Sequence, residues 1–119
     1  MKLAIVGSRS LKPSLKCIGN SIMESFPSDI VTSIISGGAS GVDEQAKLYA
    51  LQRCIQYIEI KPDYKKYKDK PKYAPIARNK DIVSKADKIL VLWDGKSKGS
   101  KFVIDYANQL NKEISIKKL

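Results

Sequence analysis

Three times in this chain an apolar run ends on a short loop of glycine and serine, and an amphipathic stretch follows. Parallel strands need crossovers of a dozen or more residues, which a helix fills, so the repeat predicts a parallel sheet with helices between its strands. The second instance is the most complete. Ile34 and Ile35 lead through Ser36-Gly37-Gly38-Ala39-Ser40-Gly41 into a stretch where Val42, Ala46, Tyr49 and Ala50 recur at helical spacing. Glycine in such a turn lets the backbone take positive φ and approach a ligand closely. The helix N-terminus beyond it favours an anion. Ser40 is placed to cap that helix, and Asp43, three residues on, has the capping-box spacing. A loop of this build binds phosphate. Taken alone it reads more readily as an ordinary strand-to-helix turn, and the other two loops of the same kind tip it toward ligand binding.

In chain order, the apolar run at 2–6 ends on Gly7-Ser8-Arg9-Ser10. Pro13 suits a helix start, and Leu15, Ile18, Ile22, Met23 and Phe26 predict one buried face of a helix running to Pro27. A strand at 33–36 and a helix to about residue 54 follow, then a third strand at 55–60. Residues 61–73 form a lysine-tyrosine loop. Pro75 opens a helix through Ala86, with Arg78, Asp81 and Lys85 on one side and Ile76, Val83 and Ala86 nearer the other. Residues 88–93 are the strongest buried-strand signal. The loop Asp94-Gly95-Lys96-Ser97-Lys98-Gly99-Ser100 precedes a helix marked by Phe102, Val103, Tyr106, Ala107 and Leu110, and residues 113–116 make a last strand.

This alternation predicts a single α/β domain over 1–119: a Rossmann-like three-layer sandwich with about five parallel strands in the order 3-2-1-4-5 and helices on both faces. Ligand binds such sheets where the winding reverses, between strands one and four. All three glycine loops converge there.

The charge balance favours anionic partners: 22 Lys+Arg against 12 Asp+Glu give a formal +10. Interleaved tyrosines in the lysine-rich loop could stack on bases, while charge runs are usually solvated faces, and the loop is read as the latter. There is no histidine, and Cys17 and Cys54 stand outside any spaced framework, so neither a metal site nor a disulfide scaffold is expected. No apolar run approaches a membrane span or a signal peptide. The expected location is cytoplasmic, without membrane association.

The ordered set Val6-Gly7-Ser8-Arg9, Ser36 to Asp43, Ala77-Arg78-Asn79, Ala86-Asp87 and Trp93 to Ser100 resembles the SLOG superfamily, specifically its YspA/YpsA-related branch, over nearly the whole chain. That superfamily is similar to a Rossmann fold and includes the Lonely Guy phosphoribohydrolases and the DNA-processing protein DprA. The resemblance implies a nucleotide or nucleotide-derived ligand. The hydrolase relatives carry Pro-Gly-Gly-x-Gly-Thr-x-x-Glu, whose glutamate works with an arginine on the preceding helix. Arg78 matches that arginine and Gly99-Ser100 the Gly-Thr pair, but Val103 stands at the glutamate's position. Valine cannot stabilise a ribosyl cation or act as a base.

The candidate ligand-binding residues are therefore Gly7, Ser8 and Arg9 from the first loop, and Ser36, Gly37, Gly38, Ala39, Ser40, Gly41 and Asp43 from the second. Arg78 and Asn79 join them, with Trp93, Asp94, Gly95, Ser97, Gly99, Ser100 and Lys101 from the last. Trp93 reads equally as a base platform and as a core cap. The expected function is binding of a phosphate- or ribose-bearing nucleotide ligand at the C-terminal sheet edge, as a sensor or binding module. An N-ribosyl hydrolase on nucleoside monophosphates is the first alternative, with Arg78, Asp43 and Asp94 as its machinery, and single-stranded nucleic-acid binding is the second. The cofactor, the existence of any reaction and a homodimer are left open by the sequence.

Overall fold

A computed structural model describes residues 1–119. Its five strands, β1 (Lys2–Gly7), β2 (Ser33–Ser36), β3 (Gln56–Glu59), β4 (Lys88–Trp93) and β5 (Glu113–Lys118), alternate with α1 (Leu15–Ser25), α2 (Val42–Gln52), α3 (Tyr73–Lys85) and α4 (Lys98–Gln109). The sheet order is β3-β2-β1-β4-β5, every pair parallel, as the sequence predicts. No helix is long and apolar enough to cross a membrane.

Both sheet faces are covered, which is why β1 and β4 read as unbroken apolar runs. Alternate residues feed two cores. Leu3, Ile5, Ile34, Leu90 and Leu92 pack with α1 and α2, whereas Ala4, Val6, Ile35, Ile89 and Val91 pack with α3 and α4. Ile89 and Leu90 are fully buried on opposite faces of one strand. Truncating either to alanine should cost about 2–5 kcal/mol.

The elements depart from expectation where packing overrides local pattern. Met23 is 67% exposed although it shares the spacing of Ile18 and Ile22, since α1 buries a narrower stripe than the sequence offers. On α3 the sides reverse at two positions: Ile76 is exposed, and Arg78 is buried. Pro75 lies inside the first turn of α3, where its missing N–H costs nothing. The helix α2 has no side-chain cap, so the Ser40 capping box does not form. Instead the Val42 N–H donates to the Ser8 carbonyl at 3.4 Å, a backbone cap supplied by the β1–α1 loop. Ser97 caps α4, its hydroxyl accepting from the Ser100 N–H, and this draws Gly99, Ser100 and Lys101 out of the loop and into the first helical turn.

Candidate functional site

A cleft of about 400 Å³ opens at the C-terminal ends of β1 and β4, the point where the winding reverses. Its walls come from four segments. The end of β1 and the loop after it give Val6, Gly7, Ser8, Arg9 and Ser10; the β2–α2 loop gives Ala39 and the first turn of α2 gives Asp43. From α3 come Pro75, Arg78 and Asn79, and from the β4–α4 loop and α4 come Asp94, Ser97, Gly99, Ser100 and Val103.

Asp94 ties two of these segments together. Its Oδ1 accepts from the Lys96 and Ser97 N–H groups, both at 2.8 Å, and its Oδ2 accepts from the Ser10 hydroxyl at 3.0 Å. Its own N–H donates to the Ser8 hydroxyl at 3.0 Å. The two backbone donors at Lys96 and Ser97 hold its carboxyl down at about 2. Asp94 is thus a fastener between loops, with its oxygens already engaged.

Arg78 is 9% exposed and is held in place by two contacts. Its Nη1 donates to the Gly37 carbonyl and its Nε to Asn79 Oδ1, each at 2.8 Å. Burial pushes its guanidinium below the usual range; Asp43 opposes this, and the like charge of Arg9 adds to it. Neither Arg9 nor Arg78 has a carboxylate oxygen within 4.0 Å. Two guanidinium groups without a directly paired carboxylate therefore share one cleft. Such groups make forked contacts to phosphate oxygens.

Asp43, 6% exposed, stands behind Arg78. Its Oδ2 accepts from the Ala39 N–H at 3.3 Å, and its Oδ1 is buried with no hydrogen-bond partner. Burial raises its carboxyl above the ordinary aspartate range, with the Ala39 N–H and Arg78 pulling the other way.

Several other expected residues stand outside the cleft wall. Gly37 lies beneath Arg78, and a Cβ there would fall 2.7 Å from Nη1. Gly41, at φ +79°, presses against the backbone of Ser8 and Arg9, so its missing side chain serves loop packing. Gly38 and Ser40 line a separate hollow beside Glu59 and Tyr57. Trp93 packs against the α3–α4 core, and its indole N–H donates to the Ser97 carbonyl at 3.1 Å, bracing the loop from behind. Lys101 turns along α4 to Asp105 at 2.9 Å. Gly95 takes positive φ in the turn that Asp94 organises.

Val6, Ser10, Pro75 and Val103 line the cleft without having been singled out as ligand contacts. Ser10 sits in the Gly7-Ser8-Arg9-Ser10 loop and could have been included on adjacency. Val103 carries the helical spacing of a core residue and is 2% exposed. Nothing in a single sequence separates the floor of a cleft from the core beneath it.

The family model for DNA recombination-mediator protein A matches residues 1–63, which span β1 through β3 and include the first two cleft loops. The X-ray structure of DNA processing protein A (DprA) from Streptococcus pneumoniae superposes with a TM-score of 0.73 over 97% of this chain at 21% identity. The chain spans about half of that structure's length, 49%. At that identity the likeness establishes the fold. No curated protein matches the chain at a comparable level.

Proposed function

Because the chain belongs to the DNA recombination-mediator protein A family, we propose that its cleft binds the phosphate group of a nucleotide unit. The observation that carries this reading is the pair Arg9 and Arg78, two guanidinium groups in one cleft with no carboxylate oxygen within 4.0 Å of either. A second feature supports it. The first turn of α4 leaves the Lys98 and Gly99 N–H groups without intrahelical partners, because Lys101 is the first to bond back, to the Ser97 carbonyl. The helix dipole adds positive potential at the same wall.

In this arrangement Arg9 and Arg78 take phosphate oxygens, the Gly99 N–H adds a backbone donor, and Ser8 and Ser10 line the approach. Of the two cleft aspartates, Asp94 has its oxygens engaged and Asp43 keeps its unpartnered Oδ1 buried, so neither carboxylate is assigned to the sugar. The function is binding without cleavage of the glycosidic bond, since Val103 lies where the hydrolase relatives have glutamate.

Calorimetry with thymidine 5′-monophosphate and thymidine tests the reading. The monophosphate should bind, thymidine should bind at least about tenfold more weakly, and Arg9→Ala should remove most of the difference. Equal affinity for both compounds would mean that the cleft does not read phosphate.

A further inference from the structure

On the sheet face that α1 and α2 cover, the two helices leave a groove of about 420 Å³ between them, as large as the cleft and sharing none of its residues. Leu15, Gly19 and Met23 recur every fourth residue along the α1 wall, and Tyr49 and Arg53 belong to the α2 wall. Tyr49, 8% exposed, lies beneath Gly19: a Cβ at position 19 would meet its ring at 3.4 Å and its hydroxyl at 3.6 Å, which is ordinary contact. Packing therefore does not require glycine there. Gly19 is the fifth of the eleven residues of α1, where glycine weakens a helix relative to alanine. What its missing side chain leaves is a notch between Leu15 and Met23. Met23, 67% exposed, is a flexible apolar side chain able to repack against whatever meets it.

The groove carries charge of one sign. Lys16 and Arg53 stand on its two walls, both exposed, and neither has a carboxylate oxygen within 4.0 Å. No aspartate or glutamate lines it. The Arg53 guanidinium lies over the Tyr49 ring, 5.5 Å from the centroid, and the ring holds it at the groove. From Leu15 to Met23 the α1 wall rises about 12 Å at roughly 1.5 Å per residue. That length takes the apolar side chains at i, i+4 and i+7 of a facing helix.

We propose that this groove docks an acidic amphipathic helix of a partner protein. Its apolar ridge sits on Leu15, Met23 and the Tyr49 ring, its middle side chain enters the Gly19 notch, and its flanking carboxylates pair with Lys16 and Arg53. Charge complementarity selects this occupant over a second copy of the chain. A two-fold axis through the groove would set Lys16 and Arg53 against the same cations, on a chain of net charge +10. The inference is independent of the cleft reading, since no residue lines both.

The experiment uses the whole chain and a fluorescein-labelled peptide of about sixteen residues, with leucines at i, i+4 and i+7 and glutamates flanking them, read by anisotropy. A control peptide has the same composition with its leucines dispersed around the helix. The patterned peptide should bind at least about tenfold more tightly than the control. Arg53→Glu should weaken it by about tenfold or more, and Gly19→Leu, which fills the notch, by a similar factor. Arg53 and Met23 are exposed, so Arg53→Glu and Met23→Lys keep the fold and decide the matter if Gly19→Leu does not fold. Met23→Lys should also weaken the patterned peptide, and thymidine 5′-monophosphate affinity should be unchanged in both exposed variants. Equal binding of the two peptides would overturn the inference and leave only attraction of acid to a basic surface. So would affinity indifferent to Arg53→Glu and Met23→Lys. Dimerisation of the protein alone, abolished by Met23→Lys, would overturn it in favour of a second copy.

Discussion

Gly37 and Arg78 are fitted to each other: Arg78 Nη1 donates to the Gly37 carbonyl at 2.8 Å, and a Cβ on Gly37 would lie 2.7 Å from that same nitrogen and 2.9 Å from Cζ. The glycine closest to the cleft's buried cation is therefore there to seat it. Gly37→Ala should push the guanidinium off its carbonyl. The expected cost is about 1–3 kcal/mol in stability from overpacking, together with a loss of monophosphate affinity of about tenfold or more. Thermal denaturation and calorimetry on one preparation check both. Unchanged affinity in a destabilised variant would separate Arg78 from ligand.

Gly99 gives the opposite signature. A Cβ built there meets nothing within 4 Å, and the residue sits in the first turn of α4. Nothing in the fold needs glycine at that point. Gly99→Ala should leave stability unchanged or raise it by about 0.5–1 kcal/mol, yet weaken monophosphate binding, because the added methyl occupies the approach to the N–H. A variant that gains stability and keeps full affinity would place the phosphate elsewhere in the cleft.

Asp43 predicts an inverted pH response. Burial raises its carboxyl above 3.8, so folding favours the protonated form. Its stabilising contribution is complete below 3.8 and is lost as pH rises through the elevated value. Asp43→Asn, neutral and similar in shape, should therefore be at least as stable as wild type at neutral pH, with the difference shrinking as pH falls toward 3.8. Melting temperatures across that window check this. A variant less stable throughout would mean that attraction to Arg78 outweighs burial.

Asp94 has the ordinary sign. Its carboxyl sits at about 2 against 3.8 unfolded, so its contribution is present above 3.8 and disappears as pH falls through about 2. Asp94→Ala should be less stable than wild type at neutral pH, and the two melting temperatures should converge on acidification across that range. The same variant should weaken monophosphate binding by releasing the Ser8–Ser10 loop from the β4–α4 loop. Normal binding by Asp94→Ala would show that the loops hold without their fastener.

Wild-type protein should release no free base from nucleoside monophosphates on prolonged incubation, followed by chromatography. Val103→Glu should destabilise the fold, since residue 103 is 2% exposed and packs in the α3–α4 core, where a carboxylate would lose its hydration. Robust wild-type turnover abolished by Asp43→Asn would overturn the binding-only reading.

The sequence determined the topology and the position of the cleft. Apolar runs alternating with helical periods call for a right-handed parallel sheet, and the order 3-2-1-4-5, one of the common ones for such chains, brings Arg9, Asp43, Arg78 and Gly99 to a single edge. The resemblance to the SLOG superfamily, with DprA among its members, rests on the same loops and agrees with the family match over residues 1–63. Tertiary structure alone decided what each loop residue does. Gly41 makes room for the Arg9 backbone, Asp94 is consumed by the loops it joins, Trp93 braces from behind, and Lys101 turns to Asp105. Spacing along a chain fixes which residues share a loop, but the direction of a side chain is set by neighbours from segments far away in sequence. Whether a glycine faces ligand or guanidinium is therefore written in the packing.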